Sequence, residues 1–323
     1  MAQKLALPVK LPELETVEKQ LEEIINETQG PAGEICSYML RAGGKRLRPT
    51  LVLLSARCFA DTAPPQAVTA AVAAELIHLA SLIHDDIIDN AGSRHSKPSV
   101  NSRWGNKIAV LAGDNLFAKA FGLLSKSKLY NVLELMVEAI EDMCSGEIEQ
   151  ALDSFNAEQK EENYYRTISK KTGKLIAVCC QSGSLSSQAG EEHSLALREY
   201  GMNLGYAFQI ADDILDFTGK VNVLGKPTGL DLAQGTLTLP MLNLLKNSRY
   251  SAWVKKVLQD KQFNETTRQA VVDALLESGA LEEAKAVALA FSQSARSCLC
   301  KVPANIYRDT LEQLALTAVE RHK

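Results

Sequence analysis

The chain has 323 residues, of which 46% are hydrophobic, so it can bury a core large enough for one large domain or two. Its formal net charge of -4 at pH 7 gives no general attraction to nucleic acid, which is therefore not an expected partner. Seven cysteines, an odd number without pairs at zinc-site spacing, indicate reduced thiols rather than a disulfide framework.

Apolar residues recur at the α-helical period along most of the chain. The pattern predicts helices at 15–28, 50–60, 68–89, 107–124, 132–152, 161–187, 192–217, 237–247, 251–259, 264–278, 280–298 and 304–321. Breaks are expected at 30–33 and 62–65, where Gly and Pro occur together. Because no run of alternating β-branched residues appears, we expect an all-α fold in a single domain over 1–323. The irregular segment 218–240 is long for a connection in a helical domain, which indicates a functional loop.

The amino-terminal residues and the apolar segments bear on location. The opening MAQKLALPVKLPELE has neither the apolar core of a signal peptide nor the composition of a transit peptide. No segment reaches about 18 uninterrupted apolar residues, because the longest candidate, 68–83, contains Glu75 and His78. We therefore expect a cytoplasmic protein without a membrane span.

A cluster of aspartates stands inside the most apolar of the predicted helices, in the stretch SLIHDDIIDN at 81–90. Asp85 and Asp89 lie one helical turn apart on one face, with Asp86 about 100° around, and His78 lies two turns back on that face. A solvated helix face is the better interpretation of one such cluster alone. Like charges so placed repel, however, and a bound cation would relieve the repulsion.

A second cluster repeats this spacing, and the repeat favours a metal site over a solvated helix face. Asp212, Asp213 and Asp216 stand in FQIADDILDF, again flanked by apolar residues, with Gln209 on the adjoining turn. Carboxylates without accompanying Cys or His are typical ligands of Mg²⁺, which usually bridges a few carboxylates to substrate phosphates. The two clusters therefore predict Mg²⁺ and a phosphorylated substrate.

A basic segment offers contacts for those phosphates. In GGKRLRP, two glycines precede Lys45, Arg46 and Arg48, although an exposed basic helix start explains this segment alone equally well. Polar and basic side chains later in the chain extend the set: Lys171, Thr172 and Lys226. These cations match the diphosphates that the aspartates predict.

Seven motifs, in this order, resemble those of the trans-isoprenyl diphosphate synthases: GGKRLRP, ELIHLASLIHDDIID, AVLAGDNLFAKA, SGEIEQA, KKTGKLIA, FQIADDILDF and GKPTGLDLAQGTLTLP. They cover most of 40–242, whereas 243–323 carry only helical periodicity. The chain is most similar to enzymes that make long-chain polyprenyl diphosphates, including solanesyl synthases and the catalytic subunit of two-component heptaprenyl synthases. The resemblance implies an isoprenoid-synthase barrel of antiparallel helices, with both aspartate clusters face to face in a central cavity.

The resemblance also implies a role for each candidate side chain. Three Mg²⁺ ions on the allylic diphosphate would be held by Asp85, Asp89 and Asp212. The other aspartates would support these ligands: Asp86, Asp213 and Asp216. Isopentenyl diphosphate would be bound by Lys45, Arg48 and His78. The allylic diphosphate would face Arg94, Lys171 and Lys226. Gln209 would position the reacting groups, and Thr172 would line the site of a carbocation.

Two departures from the family pattern stand near these positions. After Arg94, His95 and Ser96 replace a second arginine and a glycine, so His95 becomes the substrate-binding candidate there. Weaker binding of isopentenyl diphosphate or compensation by Lys97 would follow. Thr236 stands where relatives often have Lys or Asn. Neither departure removes an expected metal ligand.

The chemistry expected from these residues is a prenyl transfer. Metals and cations neutralise a pyrophosphate leaving group, so the allylic C–O bond can ionise in a cavity shielded from water. The isopentenyl double bond attacks the cation, a proton is lost, and the chain grows by five carbons. We expect a Mg²⁺-dependent condensation, head-to-tail in trans, that supplies long chains for quinone side chains.

Three other classes of protein fit less well. An HD-type phosphohydrolase needs several histidine ligands, and this chain has five histidines in all. A non-catalytic partner subunit would generally lose one aspartate motif, and a terpene cyclase would rarely carry GGKRLRP. A synthase of C15 to C20 products and the catalytic subunit of a heterodimeric synthase stay open as alternatives.

Product length and assembly follow from the helices. Along the helix of Asp85, Ser81 lies about 6 Å and Ala74 about 16 Å further from the metals, and Ala80 adjoins Ser81. All three are small, where relatives that stop at C15 have a bulky aromatic at one of the positions of Ala80 and Ser81, so we expect C30 or longer. The apolar surplus of 107–124 and 132–152 predicts a homodimer or a heterodimer. Transient membrane contact would serve product release.

Overall fold

The computed structural model describes residues 7–94, 97–219, 229–261 and 263–320, and the expected all-α fold is confirmed. The helices are α1 Glu13–Asn26, α2 Pro31–Arg41, α3 Leu47–Arg57, α4 Pro65–Ile88, α5 Val100–Trp104, α6 Asn106–Lys126, α7 Tyr130–Leu152, α8 Glu161–Ile168, α9 Lys174–Ser186, α10 Glu191–Thr218, α11 Leu230–Ala233, α12 Leu239–Lys246, α13 Ser251–Asp260, α14 Glu265–Ser278, α15 Ala280–Cys298 and α16 Ile306–Thr317. A π-helical turn, Ser169–Gly173, joins α8 to α9, and a 3-10 turn, Leu299–Lys301, follows α15. Two short strands, β1 Ser93–Arg94 and β2 Lys97–Pro98, pair antiparallel.

The chain groups into two compact units. The first consists of Met1–Glu138, Val178–Arg198 and Cys300–Leu311. The second consists of Ala139–Ala177, Glu199–Leu299 and Glu312–Lys323. The expectation of a single domain over 1–323 stays a prediction.

α4 is the central helix of the first unit. It is apolar along most of its length and packs against α1, α3 and α6. Small side chains at Ala70, Ala71, Ala73 and Ala74 are fully buried, which lets neighbouring helices approach closely. The burial of this helix fixes the position of its carboxyl-terminal turn, where Asp85 lies.

The core of the second unit surrounds α12. This helix packs against α8, α13, α14 and α15, and its Leu239, Met241 and Leu244 are buried. Residues of α10, including Ala207 and Ile210, join the same core. The packing holds the face of α10 from which the second aspartate cluster projects.

In the part of the chain that the structure describes, two helices are long and apolar enough to cross a membrane by length and composition alone. In α4, 78% of the apolar window is buried inside the protein, as in the core helix of a soluble protein. In α6, only 33% of the window is buried. The absence of a membrane span therefore stays a prediction, and α6 presents an apolar surface to its surroundings.

Within the described residues, the periodicity missed three helices and one interruption. One of the three, the four-residue α11, lies in the segment 218–240 that was expected to be irregular. The break expected at 30–33 contains the start of α2, because Gly30 followed by Pro31 begins a helix there. The short α5 has too few residues for a periodic signal. The single helix expected over 161–187 is wrong, since the π-helical turn divides it.

Candidate active site

The first aspartate cluster forms the carboxyl-terminal end of α4. Asp86 is 1% exposed, Asp85 is half-buried and Asp89 is exposed, so the two aspartates on the shared face are the accessible ones. A helix carboxyl terminus carries partial negative charge, and α4 has no basic residue in its last turn. Three carboxylates at this end are therefore an arrangement that a cation would stabilise.

Asp86 has a structural partner in the described part of the chain. Arg94 Nε donates to both carboxylate oxygens of Asp86, at 2.9 and 3.0 Å, and Arg94 Nη2 lies 2.8 Å from Oδ1. Asn101 Nδ2 donates to the backbone carbonyl of Asp86 at 3.2 Å. The buried aspartate thus fixes β1, while contact of Arg94 with an allylic diphosphate stays a prediction.

The hairpin β1–β2 is also held against the end of α2. Lys97 Nζ donates to the carbonyl of Arg41 at 3.1 Å, and the Tyr38 hydroxyl donates to that of Pro98 at 2.6 Å. Arg41 comes just before the glycines of GGKRLRP, which brings Lys97 near that segment. His95 and Ser96 lie outside the described residues, so their roles stay predictions.

The GGKRLRP segment turns one of its three cations inward. Arg46 adopts a left-handed backbone with φ 54° and is 9% exposed. Its guanidinium donates to Glu18 Oε1 at 2.6 Å and to Glu75 Oε1 at 3.0 Å. Burial raises the pKa of Glu75, and the charge of Arg46 opposes that shift. Arg46 therefore ties α1, α3 and α4 together.

The other two cations of this segment differ in exposure. Lys45 is exposed and Arg48 is half-buried. Burial lowers the pKa of the Arg48 guanidinium, and the charges that oppose this shift include Glu75 and Asp85. Arg48 thus lies close to Glu75 and Asp85 of α4, the helix on which His78 is half-buried.

The three residues proposed to control chain length all lie in the buried part of α4. Ala74 and Ala80 are fully buried and Ser81 is 7% exposed. The Ser81 hydroxyl donates to the carbonyl of His78 at 2.9 Å, within the helix. The hydroxyl is therefore satisfied by its own backbone, so the small side chain offers an apolar surface.

The second aspartate cluster stands in the last turns of α10. Asp212 is exposed, Asp213 is buried and Asp216 is half-buried. Asp213 accepts hydrogen bonds from the Tyr164 hydroxyl at 2.6 Å and from Gln209 Nε2 at 2.9 Å. Burial raises the pKa of Asp213 to about 8, with the charge of Asp231 acting in the same direction. Like α4, α10 lacks a basic residue in its last turn.

The π-helical turn brings the catalytic candidates of the KKTG motif to α10. Thr172 Oγ1 donates to Gln209 Oε1 at 2.7 Å. The approach is close, because a Cβ on Gly205 would stand 2.5 Å from the Cα of Gly173. Lys171 Nζ lies 2.6 Å from Glu147 Oε1. Glu147 belongs to the motif SGEIEQA, and the sequence did not indicate a role for it.

Asp216 anchors the end of the long loop. Its carboxylate accepts from the backbone N–H groups of Leu230 at 3.2 Å and Asp231 at 3.4 Å, and its carbonyl accepts from Gly229 at 2.9 Å. These bonds cap the short helix α11. Lys226 and the rest of 220–228 lie outside the described residues, so the expected role of Lys226 stays a prediction.

A cavity of about 80 Å³ opens beside the second cluster. It brings together three residues that the sequence singled out, Lys171, Gln209 and Asp213. Other lining residues were not assigned a role from sequence: Gln150, Tyr164 and Asp231. Thr236, noted only as a departure, accepts from Gln150 Nε2 at 3.4 Å. Tyr164 carried no sequence signal, since its partner on α10 is 49 residues away.

The donor set suits a hard cation that is only partly held by protein. Among the described residues, no three His, Cys, Asp or Glu side chains lie close enough to hold an ion alone. Mg²⁺ takes a few carboxylate oxygens and completes its shell with water and substrate phosphates. The exposed carboxylates Asp89 and Asp212, at helix ends without basic residues, fit such an ion.

Comparisons with known proteins cover nearly the whole chain. The family model described as "Polyprenyl synthetase" matches residues 31–276. The chain is 39% identical over 304 residues to heptaprenyl diphosphate synthase component 2 of Geobacillus stearothermophilus, covering 94% of each protein.

Two solved structures are similar over nearly their full length. Heptaprenyl diphosphate synthase from Staphylococcus aureus matches with a TM-score of 0.92 and 32% identity, covering 98% of this chain and 99% of that one. Polyprenyl synthase from Caulobacter crescentus CB15, complexed with calcium and isoprenyl diphosphate, matches with a TM-score of 0.90 and 32% identity, covering 96% and 95%.

Proposed function

The chain belongs to the polyprenyl synthetase family, as its motifs predicted, and is a trans-prenyltransferase. On this premise, we propose that it condenses isopentenyl diphosphate with an allylic diphosphate into a long-chain polyprenyl diphosphate. The observation that carries the proposal is the pair of aspartate clusters at the carboxyl ends of α4 and α10. Both ends repel further negative charge, so both favour a cation that brings phosphate with it.

Mg²⁺ is the proposed cofactor, in three ions held by Asp85, Asp89 and Asp212. Asp213 is proposed to support these metal ligands rather than to bind an ion itself, because both of its carboxylate oxygens already accept hydrogen bonds. The calcium and isoprenyl diphosphate of the Caulobacter crescentus relative support a site that binds a divalent cation and a diphosphate together.

The substrate contacts follow the family pattern. Isopentenyl diphosphate is bound by Lys45, Arg48 and His78. His95 stands at the position of the missing arginine, and Lys97 compensates for its loss. The allylic diphosphate is bound by Arg94, Lys171 and Lys226. For Lys171, binding requires the ammonium group to exchange its Glu147 partner for a phosphate oxygen.

These residues perform the reaction by binding, orientation and exclusion of water. When bound, Mg²⁺ neutralises the pyrophosphate that leaves as the allylic C–O bond ionises. Lys171 adds a positive charge to that leaving group, and Gln209 and Thr172, joined by a hydrogen bond, present oxygen atoms towards the developing cation. The isopentenyl double bond attacks the cation, and the released pyrophosphate takes the proton.

The growing tail runs along α4 past Ala80, Ser81 and Ala74. Their small, buried side chains support a product of C30 or longer, suited to quinone side chains. Heptaprenyl synthesis in two of the similar proteins supports the same range.

The active assembly is proposed to be a dimer. In the first unit, α6 exposes Ile108, Val110 and Leu111, at 40%, 41% and 56% of their surface, and α7 exposes Tyr130 and Val137. A second chain that covers this apolar surface would remove it from water. A heterodimer is the second candidate, because the Geobacillus stearothermophilus relative is named as component 2 of its synthase. The protein is further proposed to act in the cytoplasm, with transient membrane contact on product release.

One assay tests the proposal. The purified chain is incubated with Mg²⁺, isopentenyl diphosphate and each C5 to C20 allylic primer, and product length is measured with and without an added partner subunit. Long products from the chain alone mean that no different subunit is required, and products only with the partner support the heterodimer. No condensation in either case contradicts the proposed function.

A further inference from the structure

Tyr164 is a buried tyrosine whose hydroxyl reaches the second aspartate cluster. It is 3% exposed, and its hydroxyl donates to Asp213 Oδ2 at 2.6 Å. Its ring packs edge to face on Tyr165, with 5.4 Å between the ring centroids. The apolar body thus belongs to the core of the second unit, while the residue also lines the cavity shared with Lys171 and Gln209.

The hydrogen bond of Tyr164 begins a connected series. Asp213 Oδ1 accepts from Gln209 Nε2 at 2.9 Å, and Gln209 Oε1 accepts from Thr172 Oγ1 at 2.7 Å. With a divalent cation bound, Asp213 is favoured as the ionised carboxylate, whose oxygens only accept. The amide group of Gln209 must then turn its nitrogen to Asp213 and its oxygen to Thr172. The orientation of Gln209 is therefore fixed by the position of the Asp213 carboxylate.

We infer that Tyr164 is a positioning residue of the prenyl transfer, whose hydroxyl fixes Asp213, the carboxylate proposed to support the metal ligands, and, through it, the amide of Gln209. This inference rests on the proposed function. Without the hydroxyl, Asp213 keeps one side-chain donor and is free to rotate about its side-chain bonds. Asp213 and Gln209 then sample orientations that do not match the substrate and its metal ions.

The neighbouring tyrosine provides a matched control. Tyr165 also donates its hydroxyl to a carboxylate, Glu161 Oε1, at 2.8 Å. It does not line the cavity beside the second cluster. Tyr164→Phe and Tyr165→Phe therefore each remove one oxygen and one hydrogen bond to a carboxylate, but only the first acts at the cluster.

The experiment compares turnover and metal binding in the two variants. Partners that orient a metal ligand typically change affinity or activity by about 10- to 100-fold, so we expect Tyr164→Phe to lower kcat by at least about tenfold, with KM for isopentenyl diphosphate little changed. It should also weaken Mn²⁺ binding in the presence of inorganic pyrophosphate, measured by electron paramagnetic resonance without turnover. Tyr165→Phe should match the unmodified enzyme in both assays. In a Gln209→Ala background, Tyr164→Phe should lower kcat by a clearly smaller factor than it does in the unmodified chain.

Three results overturn the inference. The first is an unchanged kcat in Tyr164→Phe. The second is a double variant whose loss of kcat equals the product of the losses in Tyr164→Phe and Gln209→Ala. The third is a melting temperature of Tyr164→Phe far below that of Tyr165→Phe, which means a role in the fold alone. Asp212→Asn separates this from failure of the proposed function. If Asp212→Asn still binds Mn²⁺ with pyrophosphate normally, the metal assignment itself is wrong. If it loses that binding while Tyr164→Phe is normal, only the role of Tyr164 fails.

Discussion

Replacing Asp213 by asparagine should stabilise the metal-free protein, and the gain should grow as the pH rises. Burial, with the charge of Asp231 in addition, raises the pKa of Asp213 from 3.8 to about 8 in the folded chain. Between these values the unfolded chain ionises the carboxyl while the folded chain keeps its proton. The folded state therefore binds more protons, and Asp213 reduces stability progressively as pH rises through this window.

The magnitude follows from the width of the window. Each pKa unit corresponds to about 1.4 kcal/mol, so the penalty is roughly 1.6 kcal/mol at pH 5 and roughly 5 kcal/mol at pH 8. Asparagine does not ionise in the unfolded chain, so the variant has no such penalty. Its Oδ1 can still accept the Tyr164 hydrogen bond, while the amide group of Gln209 flips so that its oxygen faces the asparagine nitrogen. The advantage of Asp213→Asn over the unmodified chain should therefore grow by about 4 kcal/mol from pH 5 to pH 8, or about 6 °C in melting temperature.

The assay is thermal unfolding at several pH values in the presence of a chelator, since a bound divalent cation would favour the charged carboxylate. The asparagine variant should melt only slightly above the unmodified chain at pH 5 and well above it at pH 8. A constant difference across this range, or a variant that is less stable at pH 8, would refute the argument that burial holds the proton on Asp213.

Further outcomes follow from other parts of the structure. Arg46→Ala leaves the buried Glu75 carboxylate without its ion-pair partner and should lower the free energy of unfolding by about 3 kcal/mol, measured by urea denaturation; a loss under about 1 kcal/mol would contradict the buried pair. Asp85→Asn and Asp212→Asn should each retain the fold in circular dichroism and lower turnover at saturating Mg²⁺ at least about 100-fold, whereas near-normal turnover would argue against metal binding there. Ala80→Phe and Ser81→Phe should shift the product towards C15 or C20 by chromatography without abolishing condensation, and unchanged product length in both would place the tail elsewhere.

Helical periodicity predicted the elements that carry the clusters. α4 and α10 were expected at 68–89 and 192–217, because their apolar residues repeat over many turns. The repeated aspartate spacing then identified both clusters without any contact information. α2 escaped because Gly30 and Pro31 mark the end of one helix and the start of the next equally well.

The sequence could not distinguish which polar groups turn inward. Arg46 stands with Lys45 and Arg48 in one basic segment, yet a left-handed backbone directs it to Glu18 and Glu75. Asp86 is paired with Arg94, although it belongs to the same motif as the accessible Asp85 and Asp89. Such pairings depend on helices that meet in three dimensions, and local spacing does not encode them.

The arrangement of the hydrogen-bonded series at the second cluster was likewise hidden. Tyr164 and Asp213 are 49 residues apart, and the π-helical turn that brings Thr172 to Gln209 interrupts a helix that periodicity predicts as continuous. The type of each residue was therefore visible in the sequence, whereas its partner was not.

The most direct test of the central claim is the location of the metal ions. Crystals of the protein grown with Mn²⁺ and inorganic pyrophosphate allow anomalous scattering to mark each ion. The proposed function predicts manganese about 2.1 Å from carboxylate oxygens of Asp85, Asp89 and Asp212, with pyrophosphate oxygens completing the shells. Manganese bound to pyrophosphate with no carboxylate of either cluster in its shell would contradict the assignment of both clusters.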